Sequence, residues 1–137
     1  MASKNHPQKG STIRVDPIKD LKHIKSIKKL LADHPRNLAI FTLGINTNLR
    51  ASDLLKAKVG DFRYLEPRGQ FVLKEKKTKK LRRITINQTV YDATRNLLAT
   101  MPDARDDEFL FQSRKGGGAL TTSYLNALVK GWCAQLN

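Results

Sequence analysis

The chain has 137 residues, 39% hydrophobic and 28% charged, which suits one globular domain with a core of its own and excludes a disordered chain. Lys and Arg total 26 against 12 Asp and Glu, a net charge of +14 with a pI near 10.2, so the natural partner is a polyanion. One cysteine, Cys133, excludes an internal disulfide; it lies in an apolar-periodic stretch and reads as a buried structural thiol.

Residues 1–15 are polar and basic without periodicity and read as a flexible head with no apolar signal segment. No apolar run is long enough to span a bilayer, and the expected location is the cytoplasm. Asp16-Pro17 opens a helix as N-cap and first helical residue. Ile18, Leu21, Ile24, Ile27, Leu30 and Leu31 recur at three- and four-residue steps and form its apolar face. Lys19, Lys22, Lys25, Lys28 and Lys29 fill the other faces; a core-packing helix with a solvated side explains them better than a membrane ligand.

His34-Pro35 ends that helix, and residues 36–46 form a second one, apolar all round and therefore central. A turn at residues 47–50 leads to a short helix over 51–56, with Ser52 and Asp53 near its free amides. Residues 59–62, 70–76 and 81–86 read as strands, with Pro67-Arg68-Gly69 as a turn and residues 77–80 closing a hairpin. Asn87 caps a helix reaching about Met101, with Val90, Tyr91, Thr94, Leu97, Leu98 and Met101 inward. Residues 109–111 form a short buried segment, and Gly116 to Gly118 a loose loop without the Lys-Ser/Thr of a phosphate-binding loop. Thr121 or Thr122 caps a last helix with Leu125, Leu128, Val129, Trp132 and Leu136 on one stripe. The expected fold is α+β and mainly helical, with helices around a small three-stranded antiparallel sheet.

Two groups of residues carry chemical interest. Arg50 enters a capped helix beside the core, where its planar fork suits two oxygens of one phosphate. The bland alternative is an ion pair with Asp53, one turn on. Residues 74–83 (KEKKTKKLRR) hold Lys74, Lys76, Lys77, Lys79, Lys80, Arg82 and Arg83, seven basic residues in ten. Protection of an edge strand explains one or two of these, not seven. No Asp/Glu pair or metal-like cluster is visible, His6, His23 and His34 all precede Arg50, and Tyr64, Tyr91 and Tyr124 have no neighbouring base. An RNA- or ribosome-binding protein would place stacking aromatics near the basic strand, where only Phe71 is found.

In order and spacing these pieces resemble the tyrosine recombinases, or phage integrases, from about Asp16 to the C-terminus. Asn48-Leu49-Arg50-Ala51-Ser52-Asp53-Leu54-Leu55 resembles the box around that family's first catalytic arginine. Lys76-Lys77-Thr78-Lys79-Lys80 followed by Arg83-Ile84-Thr85-Ile86 resembles its catalytic-lysine hairpin. Residues 109–111 and 124–132 resemble the segments before its His-x-x-Arg motif. Ile86 matches the usual Pro-Leu ending of the hairpin strand only loosely, which leaves Lys76 open beside Lys77 as the catalytic lysine.

The resemblance implies a partial catalytic domain over residues 16–137 of an enzyme that cuts DNA through a 3′-phosphotyrosine, without metal or nucleotide cofactor. It implies Arg50 and Lys77 as catalytic residues and Asp53 as their support. Lys74, Lys76, Lys79, Lys80, Arg82 and Arg83 would grip DNA. The implied partner is double-stranded DNA, with no membrane and no small-molecule substrate, and the full-length form would be a tetramer on DNA. The His-x-x-Arg box and the nucleophilic tyrosine would follow the last helix and are not among these residues. That leaves two expectations: part of a strand-exchange enzyme, or a non-catalytic DNA-binding remnant.

Overall fold

The computed structural model describes residues 21–114 and 118–136. The predicted basic head, the Asp16-Pro17 helix start and Gly116-Gly117 lie outside the described residues.

Helix α1 spans Leu21–Leu30. Its three- and four-residue spacing puts Ile27 and the following Leu31 in the core, with Ile24 packed against them and Lys22, Lys25 and Lys29 outside. Leu21 and Leu30, predicted on the same stripe, remain exposed. Helix α2, Pro35–Thr47, begins with a proline whose missing N–H would have no helical partner anyway. Ala39, Ile40, Phe41, Thr42 and Leu43 are consecutive and all buried, which makes α2 the central helix. It ends where Asn48 takes a left-handed conformation (φ 60°) and donates its N–H to the Gly44 carbonyl.

Helix α3 is Ala51–Leu54, entered through the extended Arg50. Helix α4 is Val59–Arg63, so the strand predicted over 59–62 is instead a helical turn. Residues so few in number do not distinguish period 2 from period 3.6; long-range partners decide the outcome. Asp61 Oδ2 accepts from the Lys58 N–H at 2.8 Å at the entry. Val59 and Gly60 donate their amides to the carbonyls of Glu108 and Asp106. At the exit, one Arg95 nitrogen reaches the Phe62, Arg63 and Leu65 carbonyls at 2.7, 2.6 and 3.0 Å, closing the free end of the turn. Gly60 is required here, since a Cβ would sit 2.8 Å from the Asp106 Cβ.

The sheet has two strands, β1 (Gln70–Lys74) and β2 (Leu81–Thr85), antiparallel with Phe71 opposite Ile84 and Leu73 opposite Arg82. Phe71, Leu73 and Ile84 face the core, while Val72, Lys74, Leu81 and Arg83 face out, as a period of two requires. Phe71 meets Phe62 of α4 with ring centroids 4.7 Å apart, fixing the sheet to the helical layer.

Helix α5, Gln88–Ala99, packs against α2 with Val90, Ala93, Thr94 and Leu97 buried. Residues 109–111 run beside Ala57, whose carbonyl accepts the Leu110 N–H at 2.9 Å, and Leu110 and Phe111 are fully buried. Helix α6, Thr122–Ala134, is capped by Thr121 and buries Leu125, Val129 and Trp132. The Trp132 ring stands edge-on to Phe41, 6.0 Å away, locking α6 to the central helix. Cys133 is half-buried, and burial pushes its thiol up, away from the reactive thiolate. Among the described residues no helix is long and apolar enough to cross a membrane.

Asn87 both caps α5, accepting from the Val90 N–H, and donates its amide to Asn46 at 2.8 Å. Replacing Asn87 with Ala should cost about 1–2 kcal/mol, read as a lower urea midpoint at unchanged slope; an unchanged midpoint would show the cap to be idle.

Candidate functional site

The site is built where the end of α2, the start of α3 and the hairpin loop converge. The main chain of Arg50 is fixed from both sides. Leu49 is buried beside it, and the Arg50 carbonyl accepts from Asp53 and Leu54 as the first turn of α3 closes. The side chain is half-buried. The ion pair with Asp53 is not formed. Asp53 Oδ1 instead accepts the Lys76 N–H at 3.0 Å and faces the Lys56 ammonium at 3.5 Å. Among the described residues the Arg50 guanidinium has no hydrogen-bond or ion-pair partner, although its positive field reaches Glu75.

Asp53 is 1% exposed, so its bond to Lys76 is an interior strut between α3 and the hairpin. A buried carboxylate is retained only where such partners satisfy it. Lys56, whose Nζ also donates to the Lys74 carbonyl at 2.6 Å, adds a second tie to the same strand end.

The loop over residues 76–79 is closed by the Glu75 N–H on the Lys80 carbonyl and the Lys79 N–H on the Glu75 carbonyl, with Lys79 left-handed at φ 62°. Lys74, Lys76, Lys77, Lys79, Lys80 and Arg83 are exposed. Arg82 differs. Period 2 turns it to the inner face, where Nη1 lies 3.5 Å from Glu75 Oε2 and Nη2 lies 3.4 Å from the Thr47 carbonyl at the end of α2.

Sequence reasoning missed Glu75 altogether. Its carboxylate accepts from the Thr78 hydroxyl at 2.5 Å and pairs with Arg82, and Thr78 in turn accepts the Lys80 N–H. The signal was present: one acid within a basic run, three residues before a threonine. The Thr78 bond, helped by Arg82 and Arg50 and opposed by desolvation, holds the Glu75 carboxyl below its ordinary value of 4.5. A carboxyl lowered by folding stabilises the folded state above its ordinary value and loses that contribution as pH falls through the folded value. The Thr78 and Arg82 side-chain resonances should therefore titrate together below pH 4.5. Glu75→Gln should abolish that step; an identical titration in the variant would assign it elsewhere.

A second polar cluster corrects the reading of the tyrosines. Tyr64 does have a neighbouring base: its hydroxyl donates to Asp106 Oδ2 at 2.7 Å, and Asp106 also pairs with Arg63 at 2.8 Å. The bond to Asp106 pushes the phenol up, which disfavours the phenolate. Tyr91 and Tyr124 lie under the Arg95 and Arg36 guanidinium groups at 5.1 and 5.9 Å, as apolar platforms for cations.

With this geometry in hand, comparison with known proteins is decisive. The model of the phage integrase family matches residues 11–137. The chain belongs to the phage integrase family. It is 35% identical over 104 residues to the Bacillus subtilis (strain 168) protein named "Probable integrase/recombinase YoeC", covering 72% of this chain and 52% of that protein. Among solved structures it is similar in fold to XerA recombinase, with TM-score 0.69 and 16% identity over 82% of this chain and 40% of that one. It is also similar in fold to the XerH site-specific recombinase bound to difH substrate in a pre-cleavage complex. There the TM-score is 0.66 at 23% identity, over 89% of this integrase-family chain and 35% of XerH. The chain thus spans about half or less of the length of the relatives it matches. The helix-dominated α+β fold with a small antiparallel sheet is that of the recombinase structures, here with two strands among the described residues.

Proposed function

We propose that this chain is the part of a tyrosine recombinase that grips duplex DNA and activates the scissile phosphate. The observation that carries the proposal is the half-buried Arg50 guanidinium, without a carboxylate partner, beside a basic hairpin moored to the same short helix by Asp53. A cation kept partly out of water and unpaired is costly unless an anion arrives.

In this reading Arg50 binds two non-bridging oxygens of one phosphate, where negative charge grows in the transition state. Lys77, exposed in the loop, delivers a proton to the leaving 5′-oxygen as general acid. Attack by a tyrosine then leaves a 3′-phosphotyrosine and a free 5′-hydroxyl. That tyrosine and the His-x-x-Arg motif are not among these residues. Asp53 supports the site by fixing the Lys76 main chain next to Lys77. Lys74, Lys76, Lys79, Lys80 and Arg83 contact backbone phosphates and set affinity rather than sequence. Arg82 pairs with Glu75 and reaches the Thr47 carbonyl, and serves the hairpin's shape. The whole protein would work on DNA in the cytoplasm as a tetramer, as the resemblance implies. The structure of the similar XerH site-specific recombinase bound to difH substrate supports the DNA partner.

The chain should bind a duplex oligonucleotide with an affinity that falls by orders of magnitude between about 50 and 200 mM salt. Lys77→Ala should reduce the log–log salt slope by about 1, the loss of one phosphate contact. Mobility-shift titrations at several salt concentrations decide this; salt-independent binding would refute the proposal.

A further inference from the structure

Within the basic hairpin, two residues of opposite charge are paired with each other. Glu75 is an acid whose side chain is 13% exposed, and Arg82, opposite Leu73 in the register, keeps 37% of its side chain exposed. Together they form one connected path. The Thr47 carbonyl at the end of α2 meets one arm of Arg82, and the other arm meets Glu75. Glu75 takes the Thr78 hydroxyl, and Thr78 takes the Lys80 N–H on the far side of the loop. The Thr47 carbonyl lies three residues before Arg50, and Lys77 lies between Glu75 and Thr78. The path therefore joins the segment that carries Arg50 to the loop that carries Lys77.

We propose that Glu75 and Arg82 are a positioning pair, a latch that fixes the Lys77 loop relative to Arg50, and that Arg82 is not a phosphate contact. This deepens the function proposed above and rests on it. Three physical points support the pair. First, a planar guanidinium can hold two acceptors at a fixed angle, which an ammonium cannot. Second, Asp53 holds the loop through the Lys76 amide only, at its first residue; the Thr78 and Lys80 bonds hold its far end. Third, the carboxylate cancels one charge where an inward cation would otherwise repel Arg50.

The test uses the isotopically labelled 137-residue chain, alone and with a duplex oligonucleotide, in the parent and in Glu75→Gln, Arg82→Gln and Arg82→Lys. The latch predicts that hydrogen exchange at the Lys79 and Lys80 amides rises roughly tenfold in all three variants. It predicts that Arg82→Lys fails like Arg82→Gln, because charge without the two-armed fork does not bridge. It further predicts that the DNA-induced shift of the Lys77 amide is lost, while the unfolding midpoint stays within a few degrees of the parent. In a Lys77→Ala background, where that contact is already gone, Arg82→Gln leaves the salt slope unchanged. A salt slope lowered by about 0.9 more when Arg82→Gln is added to Lys77→Ala would make Arg82 a phosphate contact and overturn the latch. Parent-like exchange and Lys77 shift in Arg82→Lys would also overturn it. If the parent itself shows no DNA binding, the proposed function falls, and the exchange rates alone decide the latch: faster exchange supports it, unchanged exchange refutes it.

Discussion

The Asp53 carboxylate is the point on which the candidate site depends. It is interior, it lies in the first turn of α3, and it is satisfied by an amide from a hairpin more than twenty residues away. A buried carboxylate left without its donor pays the full cost of desolvation, so the hairpin cannot lift from α3 without exposing a strong penalty. By engaging the hairpin, Asp53 also leaves Arg50 free of the ion pair that its spacing would suggest. One contact thus fixes the loop and keeps the arginine available.

The rest of the fold serves that arrangement. Central helix α2 is buried on every side, and its left-handed end at Asn48 turns the chain sharply into Arg50. Phe62 and Phe71 join the helical layer to the sheet, while Trp132 against Phe41 closes the opposite side. The rigid parts therefore lie beneath the site, and the charged loop projects from them. Two of the hairpin's charges, Arg82 and Glu75, are partly buried and compensate each other. The remaining basic residues face solvent, where like charges destabilise little until a polyanion draws them together.

Much of this was legible in the sequence where the signal is local. The cap at Asn87, a threonine cap at 121 or 122 and the hairpin at residues 70–86 all follow from spacing and residue type. Asp53 was legible as an acid in the first turn of a helix, but its partner was not, because Lys76 is distant in sequence and contributes only its backbone. The turn over 59–62 was read as a strand, since Val59 and Phe62 give too short a pattern and the deciding partners, Arg95 and Asp106, lie far along the chain. The Tyr64–Asp106 pair was hidden for the same reason, whereas Glu75 has near partners, Thr78 and Arg82, and was masked by the basic run around it. Composition counts charges, but only the fold shows which of them face each other.

The central claim is that Arg50 and Lys77 address one phosphate because Asp53 holds their elements together. A double-mutant cycle on DNA affinity measures this directly, with Arg50→Ala, Lys77→Ala and the double variant, each in the parent and in Asp53→Ala. The account predicts a coupling of at least about 0.5 kcal/mol in the parent, the scale for residues sharing a partner, and its disappearance in Asp53→Ala. Additive losses in the parent, or coupling that survives without Asp53, would contradict it.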